Sequence, residues 1–175
     1  MRGHLGVRMR RIPIVLAGFA VVSISAESRI SGQSATASLS VSATVTKNCT
    51  ITTAPVAFGN YDSVTANATA PLDGIGTITV KCTKGAAAKV GLNTGGNAQG
   101  TTRRMAGGTA EYLNYELYKD TGRATVWGNT ADTALDVPVS TNQNPRDFPV
   151  YGRVAQAQVA AVGTYTDTVV ATVNF

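Results

Sequence analysis

The chain reads as an all-β protein of the sandwich type. Three observations carry this. Apolar and polar residues alternate with period two in several short segments. These segments recur at short intervals, with Gly, Pro, Asn and Asp turns between them. No stretch shows a convincing 3.6-residue period, and no composition break marks a second domain.

The first 25 residues read as a secretory leader. Arg2, Arg8, Arg10 and Arg11 precede an apolar run from Ile12 to Val22. That run is too short to cross a membrane as a helix and is followed by polar residues. Small residues at Ser23 and Ser25 suit a cut after Ser25, and a cut as late as Ala35 also fits. Met9 would make a tidy alternative start. Pro13 counts against a twin-arginine reading of Arg10-Arg11. Four of the fifteen Lys and Arg lie in the leader, which leaves eleven against ten Asp and Glu. The basic character therefore belongs to the leader and gives no argument for nucleic-acid binding. No long apolar segment follows, so the exported chain has no membrane span.

The first strand signal is the clearest. In ATASLSVSATVT, residues 35–46, the odd positions are apolar and the even ones are Ser or Thr throughout. Cys49 and Cys82 follow. They have no CxxC partner and no His or Cys to complete a zinc site. In an oxidising compartment they should form one disulfide. Further strands are expected at Ile51-Thr52, in PVAFGNYD (55–62), and from Ile75 to Cys82. In the last of these, Ile78, Val80 and Cys82 face one way and Thr77, Thr79 and Lys81 the other. Lys89 to Thr94 follows, then GGNAQGTTRRM (95–105) as a mobile, Gly-rich loop or hairpin. Residues 111–119 alternate Tyr112, Asn114, Glu116 and Tyr118 against Leu113, Tyr115 and Leu117. Thr125 to Trp127, Val137 to Ser140 and Phe148 to Val154 are shorter candidates. The final segment, Tyr165 to Phe175, sets Val169, Ala171, Val173 and Phe175 on one face.

The two ends suggest a joint. The last segment stops inside a strand pattern, as though the sandwich lacked a neighbouring strand there. The segment at 35–46 has the form of such a strand. Anchored by Cys49, it would enter the groove of another copy by β-augmentation, a head-to-tail contact that builds a filament. Burying Leu39, Val41 and Val45 would contribute roughly 1.5–3 kcal/mol each, with Ala37 and Ala43 adding less. The plain alternative makes 35–46 the first strand of a complete sandwich.

The segment ending TVTKNCT, then YLNYELYKD (112–120), Val126-Trp127-Gly128, VYGRV (150–154) and the terminal GTYTDTVVATVNF (163–175) occur in this order. Together they resemble the spore coat protein U domain family, which includes the pilins of archaic, Csu-type chaperone–usher pili. The resemblance implies an incomplete immunoglobulin-like β-sandwich over 47–175, completed by a donated strand. It implies a donor strand at 35–46 with Ala37, Leu39, Val41, Ala43 and Val45 as donor residues, and a Cys49–Cys82 disulfide. It also implies an acceptor groove edged by Val169, Ala171, Val173 and Phe175. The expected partners are other copies or related pilins, a periplasmic chaperone and an outer-membrane usher. The expected role is a structural pilus subunit at the cell surface, exported through the periplasm, for adhesion and biofilm formation. A shaft subunit is expected over a tip, since no extra N-terminal domain is seen. The alternative is a secreted coat or carbohydrate-binding β-sandwich that does not polymerise.

Enzyme readings find little support. The single histidine, His4, lies in the leader, which leaves no His-based triad, base or metal ligand. Asp62, Asp73, Asp132, Asp136 and Asp147 sit near turns, where Asp serves as a cap. Gly74-Ile75-Gly76 lacks the rest of a nucleotide fingerprint and reads as a turn into a strand. No cofactor is expected. Arg103-Arg104 reads as a solvated loop tip. Asn67-Ala68-Thr69 fits a glycosylation triplet that arises often by chance. Tyr115 and Trp127 are expected in the core, and Tyr112 and Tyr118 on the outer face.

Overall fold

The computed structural model describes residues 32–175, so the leader reading falls outside the described residues. The chain divides into a leading segment, up to Ser42, and a body, Ala43–Phe175. Eight strands and one helical turn build the body: β1 (Cys49–Ala57), α1 (Ala66–Thr69), β2 (Leu72–Cys82), β3 (Ala88–Leu92), β4 (Arg103–Ala106), β5 (Tyr112–Tyr118), β6 (Leu135–Val137), β7 (Arg146–Val154) and β8 (Ala171–Asn174). They form two antiparallel sheets. One has the order β1-β2-β7-β5-β4, the other β6-β3-β8. The all-β sandwich read from the period-two alternation is the fold observed.

The core follows the alternation. Ile78, Val80 and Cys82 of β2, Leu113, Tyr115 and Leu117 of β5, and Val150 and Val154 of β7 are buried. They face Val90 and Leu92 of β3, as period-two side-chain geometry requires. Trp127 is fully buried among them, and its indole N–H donates to the Val90 carbonyl at 2.8 Å. Cys49 and Cys82 are directly opposite in the β1–β2 ladder and are joined by a disulfide.

Three glycines shape one end of the larger sheet. Gly74 and Gly152 are cross-strand neighbours on the buried face, and Gly76 lies two residues further along β2. A Cβ on Gly76 would sit 2.6 Å from Val56 Cγ2 and 2.9 Å from the Ala54 carbonyl oxygen. A Cβ on Gly152 would lie 2.7 Å from both Val56 Cγ1 and Phe58 Cζ. The missing side chains let β1, whose register shifts between Ala54 and Ala57, lay Val56 and Phe58 over the sheet. Gly74-Ile75-Gly76 is thus strand interior, not a turn.

Several local readings need correction. Residues 35–46 belong to no strand of the structure, and every one is exposed. A strand needs a ladder partner for its backbone groups, and alternation supplies none. Within Thr125 to Trp127, Val126 forms only a single bridge, to Tyr118. The stretch Tyr165 to Phe175 is no continuous strand. Thr166 exchanges two hydrogen bonds with Ala106 beside the larger sheet, whereas Ala171 to Asn174 pairs with β3 of the smaller one. A segment that changes sheets cannot hold one ladder. The Gly-rich stretch 95–105 closes a tight Gln99–Thr102 bridge and enters β4 at Arg103.

Candidate functional site

The two sheets cover one another unevenly. β1 has a neighbour only on its β2 side, and β8 only on its β3 side. Each leaves a row of backbone donors and acceptors without a ladder partner. The apolar side chains of these edges are also half-covered. Ile51, Val56 and Phe58, and likewise Val169, Ala171 and Val173, pack on the core while remaining partly exposed. Inner residues of β2, β3, β5 and β7 are buried by contrast.

An open cleft of about 430 Å³ runs here. Thr53 to Val56 and Phe58 line one wall, and Tyr165 to Val169 and Ala171 the other. Ile78, Leu92, Leu117 and Val150 form the floor, so the cleft opens straight onto the core. A second cleft, about 750 Å³, adjoins it and shares Val56, Phe58, Met105 and Tyr165. It extends between the loop after β1 and the loop around Ala160 to Tyr165.

Polar groups fix the wall formed by residues 165–170. Asp167 Oδ2 accepts from the Tyr115 hydroxyl at 2.7 Å. Its Oδ1 accepts from the Asn97 backbone at 3.1 Å and the Asn97 amide at 3.0 Å. Burial, and then the bond to Asp167, push the Tyr115 phenol well above its ordinary range, so it stays a neutral donor. Gly95 has φ +90°, and a Cβ there would lie 1.9 Å from Asp167 Oδ2, so both backbone conformation and contact demand glycine. Asn93 adds a clamp: its Oδ1 accepts from the Val170 backbone at 2.8 Å.

Arg103 braces the opposite side of this region. Its side chain is almost fully buried, so it is not a solvated loop tip. Nη2 donates to the carbonyls of Leu92 (3.1 Å), Asn93 (2.8 Å) and Trp127 (2.8 Å), and Nη1 pairs with Glu116. It ties β4 of one sheet to the end of β3 of the other. Arg104, half-buried, lies 4.0 Å from the Tyr112 ring centre and donates to the Asn97 carbonyl. Asn67 is also inward. Its Oδ1 accepts from the Asp62 backbone and its amide donates to the Ala70 carbonyl, so it serves the turn.

Among the sequence-singled residues, Val169 and Ala171 line the cleft, and Val173 packs on the core beside it. Phe175 follows β8 and is about half exposed. Leu39, Val41 and Val45 are 88%, 86% and 81% exposed, and Ala37 and Ala43 are exposed as well. The wall from β1, with Met105, Tyr165 and Asp167, was not singled out in the sequence. Its signal was present in the Val56/Phe58 alternation and the three glycines beneath it. Among the described residues no cluster of His, Cys, Asp and Glu could hold a metal ion. No helix there is long and apolar enough to cross a membrane.

The model of the Spore Coat Protein U domain matches residues 35–172, which takes in both the alternating segment and the sandwich. The chain belongs to the Spore Coat Protein U domain family. Protein U of Myxococcus xanthus is 38% identical over 174 residues, covering 92% of this chain and 96% of the relative. Among solved structures, the fold resembles a chain of the CsuC–CsuE chaperone–tip adhesion subunit pre-assembly complex from archaic chaperone–usher Csu pili of Acinetobacter baumannii. The TM-score is 0.52 at 24% identity. That likeness is one of fold. It covers 75% of this Spore Coat Protein U domain chain but spans only 40% of the solved one.

Proposed function

We propose that this Spore Coat Protein U domain protein is a structural subunit of a chaperone–usher surface pilus, joined to its neighbours by donated strands. One observation carries the reading: a cleft that opens onto the core between two edge strands, each paired on one side only. A strand inserted there would complete the ladder of β8 and cover Val56, Phe58, Val169 and Ala171. Residues 35–46 supply the required form, an unpaired segment with one apolar face. In this reading Ala37, Leu39, Val41, Ala43 and Val45 enter the cleft of the next copy. Val169, Ala171, Val173 and Phe175 edge the cleft that receives them.

The exposed core explains the expected partners. A subunit with an open cleft would aggregate, so a periplasmic chaperone lends a strand after export, and an outer-membrane usher exchanges it for the next subunit's segment. The assembled fibre serves surface adhesion and biofilm formation. The leader occupies 1–25, the donor strand 35–46 and the pilin domain 47–175.

Two constructions test this. With residues 35–46 deleted and refused after Phe175 through a short linker, the protein should be a stable monomer that no longer polymerises. Deletion without the fusion should be poorly folded, and an equally stable deletion variant would sink strand donation. Leu39→Asp or Val41→Asp should abolish high-mass ladders on a mildly heated gel. Unchanged ladders would overturn the assigned donor face.

A further inference from the structure

The loops at the two ends of the body differ in charge. At the disulfide end, Lys47 and Lys84 flank the Asn48–Thr83 pair, where the Thr83 N–H donates to the Asn48 carbonyl at 2.9 Å. Lys81 stands opposite Thr50 in the same ladder. All three are exposed and form no ion pair among the described residues, and residues 43–50 and 81–87 contain no Asp or Glu.

The far end is the reverse. The connections β1–β2 (58–71) and β4–β5 (107–111), and the loop after β7 (155–165), leave the larger sheet there. They contain Asp62 and Glu111 but no Lys or Arg. Asp62 lines the second cleft beside Ala161, and Glu111 Oε2 accepts from the Ala161 backbone at 3.3 Å. The same rim exposes Val64, Val159 and Val162 almost completely. It is therefore an apolar patch with two carboxylates on its loops, continuous with the cleft, and Arg104 over the Tyr112 ring and the Arg153–Asp73 ion pair lie at the same end of the sheet.

We propose that the lysine corner of one copy docks on the carboxylate-edged far end of the next, as a second contact beside the donated strand. The proposal rests on the strand-donation reading, and the topology fits it. β8 runs toward the disulfide end, because Asn174 pairs with Lys89 at the start of β3. A donor strand antiparallel to β8 runs the other way and emerges at the far end. Thr46 and Lys47 then leave the cleft beside Ala161 and Val162, and the lysine corner follows onto Asp62 and Glu111. Opposite charges on the meeting loops speed encounter and fix the orientation of docking.

The test uses the purified full chain, with assembly followed by light scattering and by ladders on mildly heated gels. A labelled peptide of residues 35–46 reports cleft occupancy separately. K81E/K84E and E111K should each assemble about fivefold or more slowly at low salt. Wild-type assembly should slow by a similar factor as salt screens the ends. K81E/K84E mixed with E111K should recover part of the wild-type rate, and peptide binding should be unchanged in every variant. If the peptide binds but K81E/K84E assembles at the wild-type rate, the end contact is refuted and strand donation stands. If the peptide fails to bind even the wild-type chain, strand donation itself falls and the end contact with it.

Discussion

Arg103 shows how far a residue's meaning depends on its neighbours. In the sequence it is half of an arginine pair after a Gly-rich stretch, and such pairs usually sit in water. In the structure four hydrogen bonds to backbone carbonyls and an ion pair with Glu116 hold it inside. No sequence pattern reveals those acceptors, because carbonyls are present at every residue. Arg103→Met should destabilise the fold by about 3 kcal/mol, since several buried carbonyls and Glu116 lose their donor together; denaturant titration measures it. Asp73 is a gentler case at the surface. Two hydrogen bonds from Arg153 hold its carboxyl below the usual range, with smaller help from the charges of Arg123 and Arg153 against an opposing burial effect. A depressed folded pKa adds stability above the ordinary carboxylate value and loses it as pH falls through the folded one. Wild-type melting temperature should therefore fall more steeply below about pH 4 than that of Asp73→Asn, in thermal scans across that range.

At the scale of elements, period-two alternation located β2 and β5 and assigned their faces correctly, and it marked most of β7 as a strand. Ile78, Val80, Leu113, Tyr115 and Leu117 are buried as the alternation requires. Alternation failed where pairing, not pattern, decides. Residues 35–46 alternate without interruption and form no strand, whereas the weaker RRM of β4 does, because β5 lies beside it. Both walls of the cleft were hard to read for the same reason: the wall 165–170 is shaped by Asp167, Asn97 and Tyr115, far apart in sequence. The glycines beneath Val56 give a direct test. Gly76→Val would place carbon against Val56 and the Ala54 carbonyl, so β1 must shift outward. A loss of about 1–3 kcal/mol in thermal unfolding is expected, together with weaker binding of a residue 35–46 peptide.

For the whole molecule, the disulfide sets the balance of stability. Cys49 and Cys82 are 33 residues apart, so their bridge restricts a sizeable loop of the unfolded chain. Replacing both with Ser should cost about 3–4 kcal/mol, read as a lower denaturant midpoint that added reductant no longer changes. The bridge also decides how the body would carry tension. A pull applied ahead of Cys49 reaches the first register pair of β1, where the edge strand would otherwise unzip one hydrogen bond at a time. The covalent link passes the force at once to β2, which is paired on both sides. The weakest strand of the sheet is thereby spared peeling, and the load is shared in shear along two ladders, the loading geometry in which hydrogen bonds must break together.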